Sequence, residues 1–204
     1  PYEGTAPDQW DKTRFNPEFF RHLEQAILDL QAIGVQADLI VFHPYDHGHW
    51  GFDRMNDAED DLYLKYLIAR LSSFRNVWWS MANEWDLMGE KTAEDWERYL
   101  AIVDAKDPYD HLVSIHNAGR MYDHAHPAIT HLSLQKHDPK RIPGWHEKYG
   151  KPAILDEMSY EGDMGYNYGD LTGQQMVERF WLAITRGGYG THGEMYYQIG
   201  RAHV

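Results

Sequence analysis

Two carboxylic acids stand at the ends of two apolar stretches of this sequence. Residues 76–86 read NVWWSMANEWD, so an apolar and aromatic run ends in Asn83 and Glu84. Residues 152–158 read PAILDEM, so a second apolar run ends in Asp156 and Glu157. Short apolar runs rich in β-branched and aromatic residues are typical of buried strands. Both stretches therefore predict a strand that ends in an acid.

A pair of carboxyl groups at two strand ends could hydrolyse a glycosidic bond. One group protonates the leaving oxygen, and the other attacks the anomeric carbon or activates a water molecule. Helical patterns lie before and after each stretch, which predicts a parallel α/β arrangement with the strand ends along one catalytic edge. Strand alternation points only one of Asp156 and Glu157 towards that edge, and alternation alone leaves the choice between them open.

The helix and strand signals divide the rest of the chain into alternating elements. Residues 1–15 are polar and predict a loop. Asn16 and Pro17 predict the start of a helix, and Thr92 and Thr172 each begin a capping-box pattern. The predicted strands lie near residues 37–42, 77–82, 112–115, 131–134, 153–156 and 189–192.

Every predicted strand is followed by a polar residue that could serve a site. These residues are His43, Glu84, His116, Gln135, Glu157 and Glu194. A closed barrel of alternating strands and helices has eight strands and about 250 residues. We therefore predict a truncated (β/α)8 TIM barrel that covers roughly strands 3 to 8. Residues 1–198 are predicted to form the catalytic domain, and residues 199–204 match a sequencing-adapter frame and are predicted to be non-native.

The composition limits the partners of this protein. Of its 204 residues 43% are hydrophobic and 25% charged, which is ordinary for a globular domain. A net charge of −13 argues against nucleic acid and anionic membranes as partners. The chain has no Cys, so disulfides and thiolate sites are excluded. The 8 Trp and 14 Tyr suit an oligo- or polysaccharide substrate, although most such rings pack in the core. No cofactor is expected.

The chain resembles a known group of enzymes. Asn-Glu at a fourth strand and Glu at a seventh resemble the pattern of clan-A glycoside hydrolases. Residues 14–46, 75–88 and 187–194, which include ANEWD and GGYGTHGE, resemble the apiosidase-like bacterial branch of putative glycosidases more closely. This likeness covers nearly all of residues 13–198.

The resemblance implies a retaining mechanism with named roles. Glu84 would be the general acid/base, with a pKa raised towards neutrality, and Glu157 would be the nucleophile. Their carboxyl groups would lie about 5–5.5 Å apart. Asn83 would bind the sugar 2-hydroxyl, and His43 would lie near the sugar that is cleaved. The chain departs from the clan pattern at Gln135, where many members place His and Tyr, and at residues 192–194, where many place Trp.

Other residues are candidate substrate contacts, each with a structural alternative. Trp50, Trp85 and Tyr160 could be sugar platforms or could pack loops, and His116, Asn117 and Glu194 could bind sugar or make structural bonds. The candidate contacts are His43, Trp50, Asn83, Trp85, His116, Asn117, Gln135, Tyr160 and Glu194.

Two other functions compete with the glycosidase hypothesis. One is a barrel that binds glycan without cleaving it. The other is a metal-dependent barrel hydrolase, suggested by His47 and His49. Loop histidines are more often plain polar contacts, so we predict no metal site.

Overall fold

The computed structural model describes residues 1–6, 9–165 and 168–197, so the predicted tail at residues 199–204 lies outside the described residues. The chain divides into two compact units, Pro1–Ile115 and His116–Val204. Helices and parallel strands occur in both, which confirms the predicted α/β class. The described strands form four separate sheets and no closed barrel. None of the described helices has the length and apolar character needed to cross a membrane.

An antiparallel hairpin opens the first unit, so the prediction of a loop over residues 1–15 is wrong. Its strands are β1 (Tyr2–Thr5) and β2 (Gln9–Phe15). The side chain of Tyr2 is buried, and its ring stacks on Phe15 with 5.3 Å between centroids. β2 carries mostly polar residues and only partly buries every second or third one, so its sequence lacks the apolar run that predicts a strand.

The rest of the first unit alternates helices and parallel strands as predicted. Its elements are α1 (Pro17–Ala32), β3 (Ala37–Phe42), α2 (Asp57–Leu71), β4 (Val77–Ala82), α3 (Ala93–Lys106) and β5 (Val113–Ser114). β3, β4 and β5 form one parallel sheet in that order. Asn16 caps α1 by accepting hydrogen bonds from two backbone amides, and Thr92 begins α3 with a capping box. Both predicted helix starts are confirmed.

The second unit holds the remaining three predicted strands. Its elements are β6 (Leu132–Gln135), α4 (Ile142–Tyr149), β7 (Ala153–Glu157), β8 (Glu161–Gly162), α5 (Gly173–Ile184), β9 (Tyr189–Gly190) and β10 (Glu194–Met195). β6, β7 and β9 form a parallel sheet, and β8 pairs with β10. Leu134 and Leu155 pack with Trp145 of α4 and Met176 of α5 in one core. The short β8–β10 pair was not predicted. Glu194 begins β10 and, contrary to expectation, does not directly follow the end of β9.

A buried ion pair and one hydrogen bond connect α2, the segment after β4 and α3 in the first unit. Lys91, in the segment after β4, lies with its ammonium 2.6 Å from a carboxylate oxygen of Asp60 in α2. The two side chains are 3% and 1% exposed. Tyr99 of α3 donates a hydrogen bond of 2.5 Å to the same oxygen. Burial raises the pKa of Asp60, and the bonds from Lys91 and Tyr99 oppose that rise.

We predict that Lys91→Met strongly destabilises the first unit, because it leaves the Asp60 carboxylate buried without its main cation. The expected loss is about 3 kcal/mol, near the lower end for such pairs. Arg98 moderates the loss because it remains 3.8 Å from Asp60. Urea denaturation measures the effect. Lys65→Met, which breaks an exposed pair with Asp61 in α2, is the matched control and should cost under about 0.5 kcal/mol. Equal stability of the two variants would contradict the prediction.

Two histidines of the second unit are buried in their neutral form. Burial lowers the pKa of His124 and of His131 to about 4. The Lys151 ammonium, which donates hydrogen bonds of 2.7 Å to the carbonyls of His124 and His126, also opposes protonation of His124. The His124 ring meets Tyr149 edge to face. The folded state therefore binds fewer protons than the unfolded chain between about pH 4 and pH 6.5.

The stability that the two neutral histidines contribute should fall as the pH drops from 6.5 towards 4 and should be nearly flat above 6.5. Each histidine contributes about 1–2 kcal/mol of this loss between pH 7 and pH 5. His124→Phe keeps an edge-to-face ring but removes the titrating group, so it should remove about half of the dependence that the two histidines cause. The measurement is urea denaturation at pH 7, 6 and 5. His22→Phe, on an exposed position of α1, should leave the wild-type slope, and an unchanged slope in His124→Phe would refute the assignment.

Candidate active site

Glu84 directly follows Asn83 at the carboxyl end of β4 and is almost fully buried. Only 5% of the residue is exposed. Its backbone adopts a left-handed conformation with φ of 52°, which only a few non-glycine residues adopt. The Glu84 carbonyl then accepts a hydrogen bond of 2.9 Å from Leu87, which closes a short 3-10 turn over Trp85–Leu87. Such conformations cost about 1–3 kcal/mol and concentrate at functional sites.

Two side chains of the first unit contact the same oxygen of Glu84. The Tyr45 hydroxyl donates a hydrogen bond to Oε2, and the Asn83 amide nitrogen lies 3.5 Å from it. Asn83 is a predicted site residue. Sequence reasoning missed Tyr45, although its place three residues after β3, beside His43, was a usable signal. The hydroxyl and the amide together orient the carboxylate of Glu84.

The segment of residues 43–54, which we call the β3 loop, is held by its own polar groups. The ring nitrogen Nδ1 of His43 accepts a hydrogen bond of 3.3 Å from the backbone amide of Tyr45. The buried carboxylate of Asp46 accepts hydrogen bonds from the backbone amides of Trp50, Gly51 and Phe52. A carboxylate that accepts hydrogen bonds from several backbone amides fixes the local path of the chain. The chain path between His43 and Phe52 is therefore held by these hydrogen bonds.

The predicted aromatic platforms of the first unit pack against protein. The Trp50 ring stacks on Trp10 of the hairpin, with 4.7 Å between centroids, and both rings are partly buried. The indole nitrogen of Trp10 donates a hydrogen bond of 2.6 Å to the carbonyl of His49. Trp85 is 8% exposed and belongs to the core. Trp50 keeps some accessible surface, whereas Trp85 keeps very little.

Glu157 is the last residue of β7. Three predicted site residues of the second unit lie close to its carboxylate. The Gln135 amide donates a hydrogen bond of 2.8 Å to Oε2 of Glu157, and the Tyr160 hydroxyl donates to the same oxygen. His116 places Nε2 3.8 Å from the other oxygen, Oε1. The carboxylate is thus oriented by an amide and a hydroxyl, as the carboxylate of Glu84 is.

A β-bulge decides which acid of β7 meets Gln135. Leu134 pairs with Leu155, but Gln135 pairs with Glu157, so Asp156 is the extra residue of the bulge. The Ser133 hydroxyl donates a hydrogen bond to Asp156. Ser133 and Gln135 lie on the same face of β6, so both acids reach that face and the expected strict alternation is wrong. The two acids nevertheless have different partners.

Asn117 and Glu194 lie in surroundings that differ from those of Glu157. Asn117 is fully buried, and its amide nitrogen lies 3.4 Å from Nε2 of His137. Burial lowers the pKa of His137, so this imidazole favours its neutral form. Glu194 begins β10 and lies 3.9 Å from His192, whose other ring nitrogen is 3.5 Å from Glu161. Glu194 therefore lies in a partly exposed polar group with His192 and Glu161.

Among residues 1–6, 9–165 and 168–197, no group of three or more His, Asp or Glu side chains is arranged so that it could hold a metal ion. His47 and His49, the residues that suggested a metal-dependent hydrolase, both lie exposed in the β3 loop. His47 adopts a left-handed conformation at the end of the Pro44–Asp46 turn. The described residues therefore give the metal hypothesis no ligand set.

Comparisons with solved structures place this geometry in a known fold. A protein from Bacteroides vulgatus ATCC 8482, provisionally described as a glycoside hydrolase, is 44% identical with a TM-score of 0.91. A family 5 glycoside hydrolase from the same organism (15% identity, TM-score 0.63) and an endo-β-1,4-mannanase from Thermotoga petrophila (15%, 0.58) share the fold alone.

The chain spans only part of each of these proteins. The match covers 98% of this chain and 41% of the first protein, 86% and 44% for the family 5 enzyme, and 88% and 52% for the mannanase. A search of curated proteins finds no match. The family model described as "Apiosidase-like, catalytic domain" matches residues 2–196. By that match, which covers almost the whole sequence, the chain belongs to the apiosidase-like catalytic domain family of glycoside hydrolases.

Proposed function

We propose that this chain is the catalytic part of a retaining glycoside hydrolase that cleaves O-glycosidic bonds of a complex carbohydrate. Glu84 is the general acid/base, and Glu157 is the nucleophile. One observation carries the proposal: each acid lies at the carboxyl end of a parallel strand, and each is hydrogen-bonded by one tyrosine hydroxyl and one side-chain amide. Family membership supports the same chemistry.

The reaction proceeds in two displacements. In the first, a carboxylate oxygen of Glu157 attacks the anomeric carbon while Glu84 gives its proton to the leaving glycosidic oxygen, and the carbon–oxygen bond breaks. In the second, Glu84 removes a proton from water, which attacks the same carbon and releases Glu157. The anomeric configuration is inverted twice and is therefore retained.

The surroundings of each acid suit its proposed role. Glu84 is buried, and burial of a carboxyl group favours its protonated form, which is the form a proton donor needs. Glu157 is held by Gln135 and Tyr160 through one oxygen, so the orientation of its carboxylate is set before substrate binds. Asp156, by contrast, accepts a hydrogen bond from the Ser133 hydroxyl.

We further propose that the two parallel sheets belong to a (β/α)8 barrel, of which this chain covers roughly strands 3 to 8. Residues 1–198 form its catalytic domain. The likeness to the family 5 glycoside hydrolase and to the mannanase supports this arrangement. The substrate is an oligo- or polysaccharide, and the proposed contacts to it are His43, Trp50, Asn83, Trp85, His116, Asn117, Gln135, Tyr160 and Glu194.

Replacing either acid should abolish turnover. A panel of 4-nitrophenyl glycosides first identifies the sugar that the purified protein cleaves. On natural oligosaccharides of that sugar, Glu84→Gln and Glu157→Gln should each lose at least about 10³-fold in kcat, because each removes one half of the acid and nucleophile pair. Glu90→Gln, in the segment after Glu84, and Glu147→Gln, on α4, remove exposed carboxylates and should stay near wild type. Most activity surviving in either acid variant would disprove the assignment.

Trapping should place the covalent intermediate on Glu157. A 2-deoxy-2-fluoro derivative of the same sugar with a dinitrophenyl leaving group slows both displacements, and the good leaving group lets the intermediate accumulate. Mass spectrometry of the labelled peptide is expected to find the sugar on Glu157. A label on Asp156 would exchange the roles of the two acids. Binding of oligosaccharide without any turnover would instead favour the glycan-binding function.

A further inference from the structure

The Tyr45 hydroxyl donates a hydrogen bond to a proposed catalytic acid, while the residue as a whole remains 54% exposed. We propose that Tyr45 is a positioning residue that holds Glu84 for proton donation and offers its ring to the leaving-group sugar. This inference rests on the proposed function and adds a residue and a substrate contact to it. Three properties of Tyr45 support it: its hydrogen bond to Glu84, its hydrogen-bonded backbone and its exposure to solvent.

The bond to Glu84 is specific to one oxygen. Tyr45 donates to Oε2, the oxygen that the Asn83 amide also approaches at 3.5 Å. Two donors on one oxygen fix the plane and rotation of a carboxyl group. A general acid needs this, because its proton must point at the leaving oxygen within hydrogen-bond reach. Glu84 is also held from its backbone, which is left-handed.

The backbone that carries Tyr45 is held by several hydrogen bonds of the β3 loop. Its amide is bonded to the His43 ring, and the next residue, Asp46, is buried and holds the amides of Trp50, Gly51 and Phe52. The Tyr45 side chain is thus held at both ends. Its hydroxyl is hydrogen-bonded to Glu84, and its backbone is fixed in the β3 loop. A side chain held at both ends is preorganised for its task.

Tyr45 as a whole residue is nevertheless 54% exposed. Its hydroxyl is hydrogen-bonded to Glu84, so the ring contributes to this exposed surface. Tyrosine is favoured at binding surfaces because it joins an apolar ring to a polar tip. The leaving sugar is bonded to the oxygen that Glu84 protonates. It must therefore lie next to Glu84 and next to the Tyr45 ring, whose hydroxyl is hydrogen-bonded to Glu84. The neighbouring Trp50 and Trp85 rings are covered more fully by protein.

Leaving-group dependence separates this role from a merely structural one. A dinitrophenolate leaves without a proton, whereas a methoxide leaving group needs one. Tyr45→Phe should therefore lower kcat/KM about 10-fold on the methyl glycoside and less than about 2-fold on the 2,4-dinitrophenyl glycoside of the same sugar. Loss of a donor to the ionised carboxylate should also move the alkaline limb of the pH profile to higher pH. Tyr45→Ala should add a several-fold rise in KM for an oligosaccharide.

The control is Tyr109→Phe, which removes a hydroxyl from another exposed tyrosine of the first unit and should match wild type on both substrates. An equal loss on both leaving groups, or no loss on either, overturns the role of Tyr45 while the glycosidase assignment stands. Wild-type protein that cleaves no glycoside overturns the proposed function and this inference together. Far-UV circular dichroism confirms that each variant is folded.

Discussion

A carboxylate taken out of water must receive hydrogen bonds in place of those it loses. This requirement determines the surroundings of both proposed catalytic acids. Burial without compensation costs several kcal/mol for a charged group. Glu84 and Glu157 are compensated by a tyrosine hydroxyl and a side-chain amide each. These partners carry no formal charge. The hydroxyls of Tyr45 and Tyr160 and the amides of Asn83 and Gln135 orient the two carboxyl groups.

Asp60 and Asp46 show what the same fold does with carboxylates that have structural roles. Asp60 is paired with the Lys91 ammonium, and Asp46 is surrounded by backbone amides of its own loop. Both carboxylates are thereby bonded to groups that hold the fold together. The chemical type of the partner, more than the depth of burial, thus separates the structural acids from the proposed catalytic ones.

One extra residue in β7 has a large effect on the second unit. With regular pairing, Asp156 would stand opposite Gln135. The bulge shifts the register so that Glu157 takes this place and Asp156 turns to Ser133. Bulges commonly redirect side chains beside active sites. Here the bulge puts two adjacent acids on one face, where alternation alone would have separated them.

Much of this architecture could be predicted from the sequence because it depends on local signals. Apolar runs marked the six strands of the two parallel sheets, and Asn16, Thr92 and Thr172 marked helix starts through their capping bonds. The placement of Glu84 and Glu157 at strand ends followed from the same runs. The hairpin over Tyr2–Phe15 escaped prediction because β2 has no apolar run, and the β8–β10 pair escaped it because its two strands are distant in sequence.

The sequence by itself therefore determined which segments become strands and helices and which acids end them, since periodicity and capping act over a few residues. Only the tertiary structure decided how those acids are held. The bond of Tyr45 to Glu84 spans 39 residues, and that of Gln135 to Glu157 spans 22. Such contacts, like the register of β7 against β6, depend on which side chains the packed sheets bring together, and no local pattern contains that information.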